Sequence, residues 1–321
     1  MGENIFSITE ITGGNGLEIT VKNNSTNEFA TILPGSGARL SELYLHNGVE
    51  LNSVIKKIEN VHSENRDDIF CNAKLSPFAG RIQEGKYTFK SVAHKLIKNY
   101  PEENNACHGF MYDKKFKVIG KRVEENIASC LLEYYYPGDL PGYPFAYIIQ
   151  LTYQLSQIGL TCTTTIKNSS DKQMPLSDGW HFYFDLGIDI DNLKLKTENC
   201  ELIELDSQMI PTGKREIFDE FVDGKIIGDR KFDSCFKILR KGKTETRLIS
   251  EDSNINLCIW QEAGEGKYQY LVIYTPPDRK TIAIEPMTSN INSFNNSEGL
   301  IFLNPQDSFT ASFGISLNKI I

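Results

Sequence analysis

Two polar side chains stand inside runs that otherwise read as apolar strands. In Gly179-Trp-His-Phe-Tyr-Phe184, two-residue alternation puts Trp180, Phe182 and Phe184 on one face and projects His181 and Tyr183 from the other. In Ile282-Ala-Ile-Glu-Pro-Met287, Glu285 closes an apolar run, and the proline behind it is expected to halt the strand's hydrogen-bond ladder there. A carboxylate and an imidazole can move protons in opposite directions near neutral pH, because an unperturbed histidine titrates at about 6.5. Arg81, in Ser76-Pro-Phe-Ala-Gly-Arg-Ile82, and His108, in Asn105-Ala-Cys-His-Gly-Phe110, are further polar tips in short apolar runs. Taken singly, each has an ordinary structural account: a core histidine bonded to backbone for His181, a solvated strand end for Glu285.

Other chemistries find less support. The five histidines, at positions 46, 62, 94, 108 and 181, form no H-x-H or H-E-x-x-H pair and no pair with cysteine at ligand spacing, so no metal site is expected. Gly13-Gly14-Asn15-Gly16 and Gly35-Ser36-Gly37 lack the third glycine and lysine of a nucleotide loop and read as turns. Cys107 beside His108 is a poor nucleophile and base, since neighbours in an extended chain point to opposite faces. The seven cysteines lie 23 to 38 positions apart with no C-x-x-C pair, which predicts reduced, mostly buried thiols.

The elements that position these residues are strands. Tyr147 to Leu155 alternates cleanly, passes through Ser156-Gln157-Ile158-Gly159 and alternates again from Leu160 to Ile166, which predicts a hairpin. Tyr270–Tyr274 and Thr281–Glu285 predict a second hairpin around Thr275-Pro-Pro-Asp278, and Ala311 to Leu317 another strand. No window of 15 residues keeps a helical apolar stripe unbroken by Gly, Pro or Asn, although Ser41–Leu45 is expected to form a short turn. With 321 residues, no repeat and no low-complexity linker, the chain is expected to be all-β: one large antiparallel β-sandwich domain over residues 1–321, with few short helices.

Composition narrows the partners. Lys and Arg number 34 against 42 Asp and Glu, a net charge of −8 with no basic cluster, so nucleic acid is not an expected partner. No apolar run approaches the roughly 18 residues that span a bilayer, and Met1 to Gly16 does not read as a secretory signal. No membrane partner is expected, and the default location is the cytoplasm.

Taken together and in order, five segments resemble the aldose 1-epimerase (mutarotase) family with the galactose mutarotase-like fold. They are Pro77 to Phe89, Asn105 to Phe110, Gly179 to Phe184, Phe232-Asp-Ser-Cys-Phe236 and Ile282 to Thr288. They are similar to the family's N-R-I-x-x-G-x-F stretch, its H-G-F/G motif, its G-x-H-x-Y-F histidine, its D-x-x-F stretch and its terminal carboxylate strand. The resemblance implies that Glu285 is the catalytic base and His181 the catalytic acid, with His108, Arg81 and Asp233 holding the sugar. It implies an aldohexose as the small-molecule partner, no cofactor or metal, and a monomer or homodimer. The sequence departs from the pattern at Gly80, where members often carry Asn, and at Phe182, where many have Pro.

Three other readings stay open. An epimerase of a hexose 6-phosphate would need a cationic pocket, for which Lys74, Arg81 and Lys86 lie close in sequence. A non-catalytic sugar-binding or sensing protein would not need the acid and base pair. A glycosidase would use two carboxylates across the sugar.

Overall fold

The computed structural model describes residues 5–14, 16–61 and 66–319; His62 and Asn15 lie outside them. The described chain is mostly strand, with α-helix only at Arg66–Ile69 and Ser293–Asn296. A nine-stranded sheet runs in the order Lys117–Val123, Ile127–Tyr136, Tyr147–Ser156, Gly159–Asn168, Ser308–Asn318, Ile255–Ala263, Gly242–Ser250, Lys194–Lys196 and Lys225–Ile226. The C-terminal strand is thus inserted between Gly159–Asn168 and Ile255–Ala263 and pairs antiparallel with both. The predicted hairpin is present: Tyr147–Ser156 and Gly159–Asn168 pair from Tyr147↔Asn168 to Ser156↔Gly159.

A seven-stranded sheet faces it, in the order Pro211–Phe218, Cys200–Leu205, Asp233–Ile238, Tyr270–Tyr274, Ile282–Met287, Gly179–Phe184 and Ala73–Leu75. The aromatic face of Gly179–Phe184 joins the two layers: Trp180 and Phe182 pack on Phe313 of the C-terminal strand at 5.5 and 5.2 Å between ring centroids. Burying such rings supplies much of the drive for the sandwich. A five-stranded sheet, Phe6–Gly13 to Leu51–Ser53, completes the same apolar core. All seven cysteines are buried and free.

Two local expectations need correction. Ser41–Leu45 is not a turn but part of the strand Arg39–His46, which pairs with Phe29–Leu33 and Leu51–Ser53. A register shift at Thr31/Ile32 puts Leu40 and Ser41 both inside, and this irregularity hid the alternation of Leu43 and Leu45. Pro286 does not end its strand either, since the ladder to Tyr270–Tyr274 continues through Leu271↔Pro286 to Tyr270↔Met287. The proline shows instead on the other side, where pairing with Gly179–Phe184 skips from Phe182↔Ile284 to Gly179↔Met287.

Candidate active site

That skipped stretch is where the proposed acid and base meet. The register Phe182↔Ile284 and Gly179↔Met287 puts His181 across from Glu285, and the two side chains leave the sheet on the face opposite Trp180 and Phe182. His181 Nε2 lies 3.4 Å from Glu285 Oε1, with both side chains nearly enclosed. The His181 ring stacks on Tyr183, two residues along the same face, at 4.8 Å.

His108 and Arg81 arrive on two short segments fastened to each other. Cys107 pairs with Arg81, and the Asn99 side chain holds the Cys107 backbone from both sides, accepting from its N–H at 2.7 Å and donating to its carbonyl at 2.9 Å. The His108 N–H then donates to the Gly80 carbonyl at 3.0 Å. His108 adopts φ 64°, a left-handed conformation that a side chain rarely takes and that is enriched at functional sites. Gly109 follows at φ 66°, so close to Ser76 that an added Cβ would sit 2.1 Å from the Ser76 carbonyl oxygen. The result is an imidazole 5.2 Å from the ring of His181 and 4.8 Å from that of Phe70.

Asp233 begins the strand Asp233–Ile238 opposite Tyr274 and is exposed at the mouth. All five residues singled out in the sequence therefore line one cavity of about 150 Å³. Phe70, Tyr100, Glu103, Tyr183 and Tyr274 also line it. Sequence reading put Tyr183 on the His181 face but named none of the five as a site residue. Tyr183 alone carried a signal, its place two residues after His181.

The electrostatics are those of a buried polar site. Burial lifts the Glu285 carboxyl well above the ordinary carboxylate range, helped by Asp233 and opposed by Arg81. Burial, with Arg81 adding to it, pushes His181 down to about 3. His108 is likewise held well below its usual value by burial, then by His181 and Arg81. Glu285 Oε2, His181 Nδ1 and His108 Nδ1 are buried with no hydrogen-bond partner among the described residues. Such atoms are destabilising unless something binds them. Arg81 is engaged by Glu103, which accepts from Nε at 2.5 Å and from the guanidinium's Nη2 at 3.3 Å.

The two lysines considered for a phosphate lie elsewhere. Lys74 is fully buried in an ion pair with Asp178 and sits 4.5 Å from the Trp180 ring, on the core side of the sheet. It points away from the cavity because Trp180, the residue opposite it, does. Lys86 is exposed and pairs with Glu84 at 2.5 Å. Among the described residues, no His, Cys, Asp and Glu cluster is placed to hold a metal ion, and no helix is long and apolar enough to cross a membrane.

Comparison with known proteins points one way. Over 238 residues the chain is 23% identical to the uncharacterised protein YihR of Escherichia coli K12, covering 71% of this chain and 73% of that one. Over 218 residues it is 21% identical to an aldose 1-epimerase of Streptococcus thermophilus, covering 66% and 62%. A galactose mutarotase-like protein of Clostridium acetobutylicum superposes with a TM-score of 0.83 at 22% identity, over 98% of this chain and 99% of that one. Galactose 1-epimerase of Lactobacillus acidophilus does so at 0.80 and 19%, over 98% and 99%. The aldose 1-epimerase family itself matches residues 18–316, a span that includes the strands of His181 and Glu285, and the chain belongs to the aldose 1-epimerase family.

Proposed function

We propose that the protein interconverts the α and β anomers of a free aldohexose, with Glu285 as base and His181 as acid. The observation that carries this reading is the enclosed pair, His181 Nε2 to Glu285 Oε1 at 3.4 Å, in the cavity that His108, Arg81 and Asp233 also line. The two sugar oxygens that must exchange protons, the C1 hydroxyl and the ring oxygen, are bonded to the same carbon. Acid and base must therefore act within a few ångströms of each other, and this pair does.

In the forward direction Glu285 takes the proton of the C1 hydroxyl, and the O–H electrons become the second bond of the carbonyl. The bond from C1 to the ring oxygen breaks, its electrons stay on that oxygen, and His181 protonates it. After rotation about C1–C2 the freed hydroxyl attacks the other face of the aldehyde, returning its proton to His181, while Glu285 returns its own to the new C1 oxygen. The protein ends with the protons it started with. His108, Arg81 and Asp233 hold the sugar's other hydroxyls, and Phe70, Tyr100 and Tyr183 give its C–H faces apolar contact.

A pair holding one proton suits this cycle. The ionic arrangement of Glu285 and His181 and the neutral one contain the same single proton; burial favours the neutral one in the empty site, and the forward step above starts from the ionic one. A sugar-binding protein without activity would gain nothing from enclosing an acid and a base against each other, each with a buried polar atom left over. Polarimetry on a panel of freshly dissolved free and phosphorylated aldoses tests the reading: faster anomer equilibration of at least one free aldohexose supports it, and none with any sugar that binds refutes it.

A further inference from the structure

Arg81 is the one Lys or Arg among the described residues that line the cavity, and it is already occupied. Its side chain is 12% exposed, and the Glu103 carboxylate, 23% exposed, closes on two of its nitrogens. Glu103 is presented by a pinned turn rather than a loose loop. Tyr100 and Asn105 exchange backbone hydrogen bonds at 3.1 and 3.0 Å across its base. The Asn105 side chain donates to the Gln208 carbonyl at 2.9 Å and accepts from the Glu84 N–H at 3.1 Å. A negatively charged sugar entering here would meet three carboxyl groups, Glu103, Asp233 and Glu285, and a guanidinium whose fork is already taken.

We propose that Glu103 is a specificity-determining residue: by claiming Arg81 it fits the site to uncharged aldoses and excludes uronic acids and sugar phosphates. This rests on the sugar site proposed above. A neutral sugar suits the pair as it stands, because its hydroxyls can donate to the free lone pairs of Glu103 and accept from the remaining N–H groups of Arg81. An anion would need the same bidentate fork that Glu103 occupies, and would have to displace one carboxylate beside two others. Specificity of this kind comes from a repulsive element as much as from attractive ones.

The test compares wild type with Glu103→Gln and Glu103→Ala on one aldohexose, the matching hexuronic acid and the hexose 6-phosphate, by calorimetric Kd and by kcat/KM. Wild type should prefer the neutral sugar by roughly tenfold or more, and both variants should shrink that preference by a similar factor, the gain for the anion appearing in Kd and KM. Adding Arg81→Ala to either variant should abolish the gain, because the freed guanidinium is its source. A wild type that binds the hexuronic acid as tightly as the aldose, or variants with an unchanged preference, would overturn the proposal. If wild type turns over no sugar yet the Kd preference shifts as described, the assignment of Glu103 stands and the epimerase reading fails.

Discussion

Glu285 and His181 sit on neighbouring strands at the point where the ladder between those strands lapses, so two titratable groups face each other 3.4 Å apart with no backbone bond between them. Burial moves them in opposite directions, the carboxyl up and the imidazole down to about 3. Groups this close titrate as one coupled unit, and burial favours the form in which the pair shares a single proton.

The pH profile should show it. Activity falls on the acid side when the pair takes a second proton and on the alkaline side when it loses its only one. With His181 lowered to about 3, the acid limb lies well below the ordinary imidazole value of 6.5. With Glu285 raised, the alkaline limb lies above the ordinary carboxylate range. The acid fall of kcat/KM is therefore expected well below the ordinary imidazole value of about 6.5. An acid limb centred at or above that value would contradict the shared proton.

Arg81→Ala and Asp233→Asn should act through binding. Both residues line the cavity, and neither faces the His181 and Glu285 pair as its direct partner. KM is expected to rise by about tenfold or more while kcat changes little, as steady-state kinetics on the preferred aldose would show. A fall in kcat with KM unchanged would assign these residues to the chemistry instead.

Gly109→Ala should disturb the site from behind. Besides the positive φ, the new Cβ would collide with the Ser76 carbonyl oxygen, so the segment carrying His108 must shift or unfold locally. A loss of about 2 kcal/mol or more in urea denaturation is expected, with weaker sugar binding. Full stability and affinity in this variant would show that the close approach is not required.

The buried Lys74 and Asp178 pair offers a test of the scaffold. Asp178 Oδ2 also accepts from the Tyr268 hydroxyl at 3.1 Å, and Lys74 donates to the Gly179 carbonyl at 2.9 Å. Lys74→Met strands a buried carboxylate and should destabilise by about 3–5 kcal/mol, whereas Lys74→Met with Asp178→Asn should recover part of the loss. Equal losses in single and double variants, measured by denaturant unfolding, would show no coupling between the two charges.

What the sequence disclosed follows from the range over which each signal acts. Alternation within Gly179–Phe184 sorted His181 from Trp180 and Phe182 correctly because it needs only neighbours. The hairpin from Tyr147 to Asn168 was legible for the same reason. Lys74, near Arg81 in sequence, was open to a phosphate role there because its partner lies 104 positions away, so nothing local marks it as buried. Glu103 was missed because it sits in a polar turn with no periodicity, and only the folded chain shows that the turn closes over Arg81.

The most direct test of the central claim is the rate of exchange between anomers, read by two-dimensional exchange NMR on the preferred aldose, for wild type, Glu285→Gln, His181→Asn and the double variant. Each single change should lower the catalysed rate by about 10² to 10⁴, with calorimetric binding of the sugar retained. The double variant should lose little more than the worse single one, because the two groups act as a unit. Exchange within about threefold of wild type in a folded, sugar-binding Glu285→Gln variant would contradict the assignment of this carboxylate as the base.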